Sequence, residues 1–215
     1  MNEYFTYRLE EKTDYAETEN LIREAFWDLY KPGCDEHFIL HNMRFDTSYI
    51  RDLSFVCEVE TGNTRKIVGA IYCTECNILD GIVGHTVMCI GPIGVMEEYQ
   101  RKGAGLKLLS LALEGAAELG YCMAVLFGNP AYYRKSGFAE ALAFGIHLTD
   151  GTDIPEFMCR PLDPVRSSSI KGNLQMNPVF IVDGKALEKY EKGFPAKEKH
   201  SREGQFFGSV TGGDQ

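Results

Sequence analysis

The sequence holds no apolar run long enough to span a bilayer and no cluster of Lys and Arg. A membrane helix needs about 20 apolar residues in succession, so no membrane partner is expected. Met1-Asn2-Glu3-Tyr4 begins no signal peptide, which makes the cytoplasm the expected compartment. Duplex binding draws on clustered basic side chains; with a net charge of −9 and no basic stripe, nucleic acid is not expected as a partner. Paired cysteines are scarce as well. The seven cysteines (34, 57, 73, 76, 89, 122 and 159) are odd in number and scattered, several inside apolar runs. That is the pattern of buried reduced thiols rather than of a disulfide framework. Cys73 and Cys76 form the one close pair; a structural zinc site would want a second, so no metal is expected.

What is present is enough for a substantial core: 215 residues, 44% of them hydrophobic and 25% charged. Tyr4–Leu9 alternates as a strand. A helix capped by Thr13 or Asp14 runs to about Leu29, with Leu21, Ala25 and Leu29 on its apolar face and Ile22 and Phe26 beside them. A second helix is predicted from Asp35 to about Tyr49. Leu53–Val59 and Lys66–Cys73 form a hairpin about Thr61-Gly62-Asn63. Thr86–Val95 is apolar enough for a central strand, but Gly91-Pro92 lies inside it. Proline cannot donate to a ladder, so a bulge or a break in pairing is expected there.

Ala104–Leu119 carries a helical apolar stripe through Leu106, Leu109, Leu113 and Ala117, with Gly120 as its C-cap. Tyr121–Phe127 is then continuously apolar, as a strand covered on both faces should be. Strand, helix and buried strand in this order make a parallel unit. A short helix over Pro130–Ser136 and strands over Phe144–Leu148 and Glu156–Cys159 complete an α/β arrangement, in which a mixed sheet has helices on both faces. The first 162 residues form the expected domain. Residues 163–215 form a C-terminal extension expected to be partly loop or disordered, with a strand over Val179–Val182 and a helix from Asp183 to Glu191.

The chemistry concentrates at Gln100-Arg101-Lys102-Gly103-Ala104-Gly105, between a strand and the first turn of a helix. A helix N-terminus offers unpaired N–H groups and a partial positive charge, which together hold an anion. Glycine lets a phosphate approach the backbone, and Arg101 and Lys102 add charge at the rim. The segment therefore reads as a diphosphate site. It is no Rossmann fingerprint, because Leu108 stands where the third glycine belongs, and no P-loop, because no Gly-Lys-Ser/Thr occurs.

In this setting the segment resembles the GNAT superfamily of N-acetyltransferases. The hallmark Gln/Arg-x-x-Gly-x-Gly/Ala follows Ile93-Gly94-Val95, and Tyr133-Arg134-Lys135-Ser136-Gly137-Phe138 resembles the family's second motif. Gly128–Tyr133 is similar to a branch of bacterial acetyltransferases with mostly unassigned substrates. The resemblance covers about Tyr4 to Arg160. It implies the acyl-CoA N-acyltransferase fold, a twisted mixed sheet whose fourth and fifth strands splay apart. It also implies acetyl-CoA as co-substrate and an amine of a small molecule or peptide as acceptor, attacking directly in a ternary complex. The residues it assigns to the cofactor are Ile93, Gly94, Val95, Gln100, Arg101, Lys102, Gly103, Ala104, Gly105 and Asn129, and it makes Tyr133 the general acid toward the departing thiolate.

The resemblance leaves a gap. Several family members carry a glutamate on the central strand, where this chain has Cys89, and no Asp or Glu lies between Thr86 and Val95. His85, Glu75 or a water chain is then the candidate base. His37, His41 and Arg44 share a face of the second helix and are candidate acceptor-binding residues, with a solvated polar face as the plainer alternative. The missing carboxylate also motivates a second class of function, a CoA-binding sensor or interaction module without catalysis. The extension is a candidate lid or dimerisation element, with which a homodimer would be compatible.

Overall fold

The computed structural model describes residues 4–61, 64–203 and 205. Among them one mixed sheet runs β1 (Phe5–Leu9), β2 (Phe55–Thr61), β3 (Thr64–Asp80), β4 (Val83–Val95), β5 (Met123–Phe127), β8 (Phe157–Pro161) and β6 (Ala139–Glu140) from edge to edge. β7 (Ile146–His147) and β9 (Gly172–Gln175) pair with each other, and β9 joins the far end of β3. All pairings are antiparallel except β4 with β5 and β7 with β9.

Both faces are covered, because the strands at the centre are apolar on both sides. On one face α1 (Tyr15–Phe26) and α2 (Glu36–Met43) bury Leu21, Ile22, Leu40 and Met43 against Val56, Ala70 and Tyr72. On the other, α3 (Ala104–Glu118) buries Leu108, Leu109, Ala112, Leu113 and Ala116 against Cys57, Ile71, Cys73 and Met88. The buried stripe of α3 thus runs one or two residues off the expected one. Leu109 and Leu113 lie in it, whereas Leu106 is exposed. α1 ends at Phe26, three residues before the expected Leu29, which is itself exposed.

α2 is also shorter than its apolar pattern suggested. After Met43 the chain turns through Asp46, whose carboxylate accepts from the Ser48 N–H (2.8 Å) and hydroxyl (2.6 Å). Asx turns of this kind compete with helix. β3 runs seven residues beyond Cys73, because β9 and the first residues of β4 pair with that end. The turn expected at Thr61-Gly62-Asn63 includes residues outside those described. The expected strand over Phe144–Leu148 narrows to β7, directly after a 3₁₀ turn at Ala141–Phe144, and no strand forms over Val179–Val182, whose first residues lie in a 3₁₀ turn at Pro178–Phe180.

The extension is integrated into the fold. β9 completes an apolar cluster in which Ile170 and Leu174 join Ile78, Val87 and Phe157. Asp183 caps α6 (Gly184–Glu191) as expected, accepting from the Ala186 N–H at 2.7 Å; α5 (Pro164–Ser167), a short helix that was not expected, is capped by Asp163. α6 lies on α1 and α2, where Glu191 pairs with Arg23 and His37 and the Tyr190 hydroxyl donates to Glu19. Residues 206–215 lie outside those described.

Candidate active site

The site begins where the sheet opens. β4 and β5 pair in parallel only through Met88↔Ala124, Cys89↔Val125 and Ile90↔Leu126. Beyond Ile90, β4 continues to Val95 bonded to β3 alone. At the departure point Gly91 and Pro92, joined by a cis peptide bond, oppose the single residue Tyr72 of β3, which is the bulge that this dipeptide led us to expect. The strand edge from Gly91 to Val95 is therefore turned toward an open cleft.

At the end of β4 a 3₁₀ turn, Glu97–Tyr99, leads to the loop that starts α3. Gln100 closes this loop on itself, its side-chain amide donating to the Val95 carbonyl at 3.0 Å. Arg101 has φ +61° and Gly103 has φ +93° at the N-cap of α3. A Cβ on Gly103 would meet no protein atom, so the constraint on this residue is its backbone conformation. No side chain caps α3, which leaves its first N–H groups for an anion.

A cavity of about 390 Å³ lies along this surface. It brings together Ile93, Val95, Gln100, Arg101, Gly103 and Gly105 of the residues expected at the cofactor, and adds Tyr99, Leu106 and Tyr132. The others are placed differently. Gly94 faces α1, where a Cβ would stand 2.9 Å from the Ile22 side chain; Ala104 is buried; the Lys102 ammonium lies 5.1 Å from the Tyr99 ring. Asn129 caps α4 (Pro130–Tyr133) by accepting from the Ala131 N–H at 2.9 Å. Backbone donors on one wall, arginine at the rim and apolar side chains on the other wall suit a diphosphate followed by an apolar arm.

A second cavity, about 180 Å³, lies on the other side of the opening and shares Ile93 and Tyr133 with the first. Its walls are mainly apolar: Phe26, Ile39, Pro92 and Phe127, with Met176 and Phe180 from the extension. Tyr30, Lys31, Asp35 and Glu36, from the loop before α2 and its first residue, supply the polar end. Lys31 pairs with Asp35, whereas Glu36 makes no ion pair among the described residues. Burial, reinforced by the Asp35 charge, pushes the Glu36 carboxyl up to about 7.

Tyr133 stands between the cavities. It is 9% exposed, and the Phe138 ring meets it edge-on at 5.9 Å. The absence of a side chain at Gly128 makes room for it, since a Cβ there would fall 2.3 Å from the Tyr133 ring. Burial, with Tyr30 and Tyr132 nearby, raises its pKa, so the phenol keeps its proton at neutral pH. Tyr132 turns to the first cavity, its hydroxyl against Gly105.

The remaining candidates line neither cavity. His37 is fully buried, its Nε2 2.8 Å from Glu191 and its Nδ1 3.4 Å from the Cys34 thiol. His41 reaches Glu19 at 3.1 Å. Arg44 is buried against Glu10 and Glu19 at 2.6 Å each and lies 3.9 Å from the Tyr15 ring centre. These side chains hold α1, α2 and the extension together; His37 and Arg44 are buried against neighbouring protein, whereas the His41 side chain is 39% exposed and lies partly in solvent. Glu75 accepts from the Tyr121 hydroxyl at 2.6 Å on the α3 side of the sheet. His85 pairs with Ile78 near the far end of the β3–β4 hairpin, away from the opening. Among the described residues no three His, Cys, Asp or Glu side chains converge as metal ligands, and no helix is long and apolar enough to cross a membrane.

Sequence reasoning missed Glu36 and the wall from Met176 and Phe180. A lone glutamate at a helix start looks like an ordinary N-terminal charge. The extension was a candidate lid, but nothing in it marked Met176 and Phe180 as the residues that reach the cleft.

Comparison with known proteins fits this geometry. A model of the acetyltransferase (GNAT) family matches residues 18–138. A GNAT family N-acetyltransferase from Escherichia coli, solved with CoA, superposes with a TM-score of 0.73 at 19% identity over 84% of this chain and 93% of that one. A GNAT family acetyltransferase from Brucella melitensis, solved with acetyl-CoA, gives 0.65 at 22% identity over 83% and 99%. The ribosomal-protein-S18-alanine N-acetyltransferase of Escherichia coli gives 0.51 at 18% identity over 74% and 95%. No curated protein sequence matches.

Proposed function

The chain belongs to the GNAT acetyltransferase family, and we propose that it transfers an acetyl group from acetyl-CoA to a primary amine by direct attack in a ternary complex. One observation carries this reading. Beyond Ile90 the freed edge of β4 borders both the groove at the uncapped start of α3 and a second, separately walled cavity. A long co-substrate can lie on one side and its acceptor on the other, meeting at Ile93 and Tyr133.

The residues divide the work. The N–H groups at the start of α3, with Arg101, hold the diphosphate. The free edge of β4 from Gly91 to Val95 offers backbone groups to the pantetheine amides and an N–H to the thioester oxygen, where negative charge grows during attack. Tyr133, neutral and shielded, gives its proton to the departing sulfur. Within the family we place the chain in the branch carrying Gly128–Tyr133, because Gly128 is what admits the Tyr133 ring. The relatives solved with acetyl-CoA and with CoA support the choice of donor.

Two measurements test the reading. Acetyl-CoA should raise the melting temperature by mass action, and no shift at millimolar ligand would count against it. Tyr133→Phe should lower the saturated turnover by about 100-fold, the usual scale of a general acid. Unchanged turnover across pH would remove Tyr133 from that role.

A further inference from the structure

The central strand carries no carboxylate at the opening, yet an acceptor that arrives as an ammonium must lose a proton before it can attack. Of the ionisable side chains around the second cavity, Lys31 is paired with Asp35, Tyr30 and Tyr133 are phenols whose pKa is raised by burial, and Cys89 is a thiol on the strand itself. Glu36 remains. Its side chain accepts the Asp35 N–H at 3.1 Å and is only partly exposed. It sits at the polar end of a cavity otherwise walled by Phe26, Ile39, Phe127, Met176 and Phe180.

Resting on the acyl-transfer reading above, we propose that Glu36 is the general base for the acceptor, and that the acceptor is a primary amine on an apolar, preferably aromatic, body without an acidic group. The step balances as follows. Glu36 takes one proton from the ammonium and passes it to solvent. The freed nitrogen forms the C–N bond as the C–S bond breaks, Tyr133 protonates the sulfur, and the second nitrogen proton restores Tyr133. A carboxylate on the acceptor would meet Asp35 and Glu36 with no unpaired cation to offset them.

The titratable groups near Glu36 are Asp35, Lys31, Cys34 and Tyr30 from its own loop, Cys89 from β4 and Tyr133 from α4; among the described residues the extension adds none to the cavity. Burial and Asp35 hold its carboxyl up at about 7, with Lys31 opposing. A base of this kind works best near its own pKa. Activity should therefore rise through pH 7 as Glu36 ionises.

The test uses the full chain, acetyl-CoA and a panel of amines: 2-phenylethylamine, tryptamine, methylamine, phenylalanine and glutamate. In the wild type, kcat/KM for 2-phenylethylamine should exceed that for phenylalanine at least tenfold; the reverse order overturns the acceptor class. Glu36→Gln should lower kcat/KM at pH 7 by about 100-fold and abolish the rise near pH 7, with the deficit shrinking toward pH 9 as free amine becomes abundant. Its acetyl-CoA affinity should be unchanged, and Glu36→Asp should recover part of the rate. Activity within threefold of wild type with the rise intact overturns the role of Glu36.

An activity-free readout accompanies it. One glutamate side-chain carboxyl carbon in the ¹³C NMR spectrum of the wild type should titrate near pH 7, shift its midpoint when 2-phenylethylamine is added, and vanish in Glu36→Gln. Should that variant misfold, Glu36→Asp serves to assign the resonance, and a spectrum with no such carbon overturns the proposal. Failure of the wild type to bind acetyl-CoA or release CoA thiol would instead sink the acyl-transfer reading itself.

Discussion

The proposed cofactor groove and the proposed acceptor cavity share Ile93 and Tyr133, but they are made of different material. The groove is largely backbone: one strand edge, one loop with two positive φ angles, one helix start, all within Gly91–Leu106. The cavity is side chains drawn from the α1–α2 region, β4, β5, α4 and the extension. A backbone site recognises a fixed ligand and depends on a few conformations. A side-chain site can be altered residue by residue without disturbing the strands that frame it. The division suits an enzyme that holds one constant co-substrate and one variable acceptor.

Substitutions can test whether the two halves are separable. The largest effect is expected from Gly103→Val. The left-handed conformation at this N-cap costs a β-branched residue about 1–3 kcal/mol, and the side chain would project into the open space proposed for the diphosphate. Acetyl-CoA affinity measured by calorimetry should fall on the order of 100-fold; an unchanged affinity would mean that the loop is not the phosphate site. Phe180→Ala removes an aromatic wall from the cavity. It should raise the KM for an apolar amine roughly tenfold, in line with the burial of a phenyl ring, while leaving acetyl-CoA affinity alone. If both constants change together, the halves are not independent.

Arg101→Ala is expected to matter less, weakening acetyl-CoA by roughly 3- to 10-fold, because a rim charge acts through solvent and is screened by salt. The deficit should shrink at high ionic strength, and one that persisted undiminished would assign Arg101 a buried contact. The smallest effect is a slope of stability with pH, set by two neighbours on α2. Burial holds the His37 pKa below the ordinary histidine value, so its stabilisation is present above about 6.5 and is lost as pH falls. Glu36, raised to about 7, acts oppositely: its stabilisation is complete below its unfolded value and is lost as pH rises through 7. Glu36→Gln should therefore lose more melting temperature between pH 7.5 and 5.5 than the wild type does. An equal or shallower slope would contradict the placement of the two groups.

The difference in material also explains what could be read in advance. The groove was legible because its parts are contiguous and made by residue types with narrow uses: a proline in a central strand, a glycine at a helix start, Gly137-Phe138 after a short helix. The sheet followed from the apolar continuity of Thr86–Val95 and Met123–Phe127. The cavity was not legible, since Glu36, Phe127 and Phe180 meet only after folding and none is unusual where it stands in the chain. His37 and Arg44 show the reverse problem. Their spacing marked a helix face correctly, but periodicity does not say whether that face meets solvent, substrate or, as here, Glu191 and Glu10.

The most direct measurement of the central claim is amine-dependent release of CoA thiol from acetyl-CoA by the wild-type chain, followed across the amine panel at neutral pH. Saturable release is expected that needs both substrates, is fastest with apolar amines, and is lost in Gly103→Val through binding and in Tyr133→Phe through turnover. Acetyl-CoA that binds with no amine-dependent thiol release would contradict it and favour a CoA-sensing protein on the same fold.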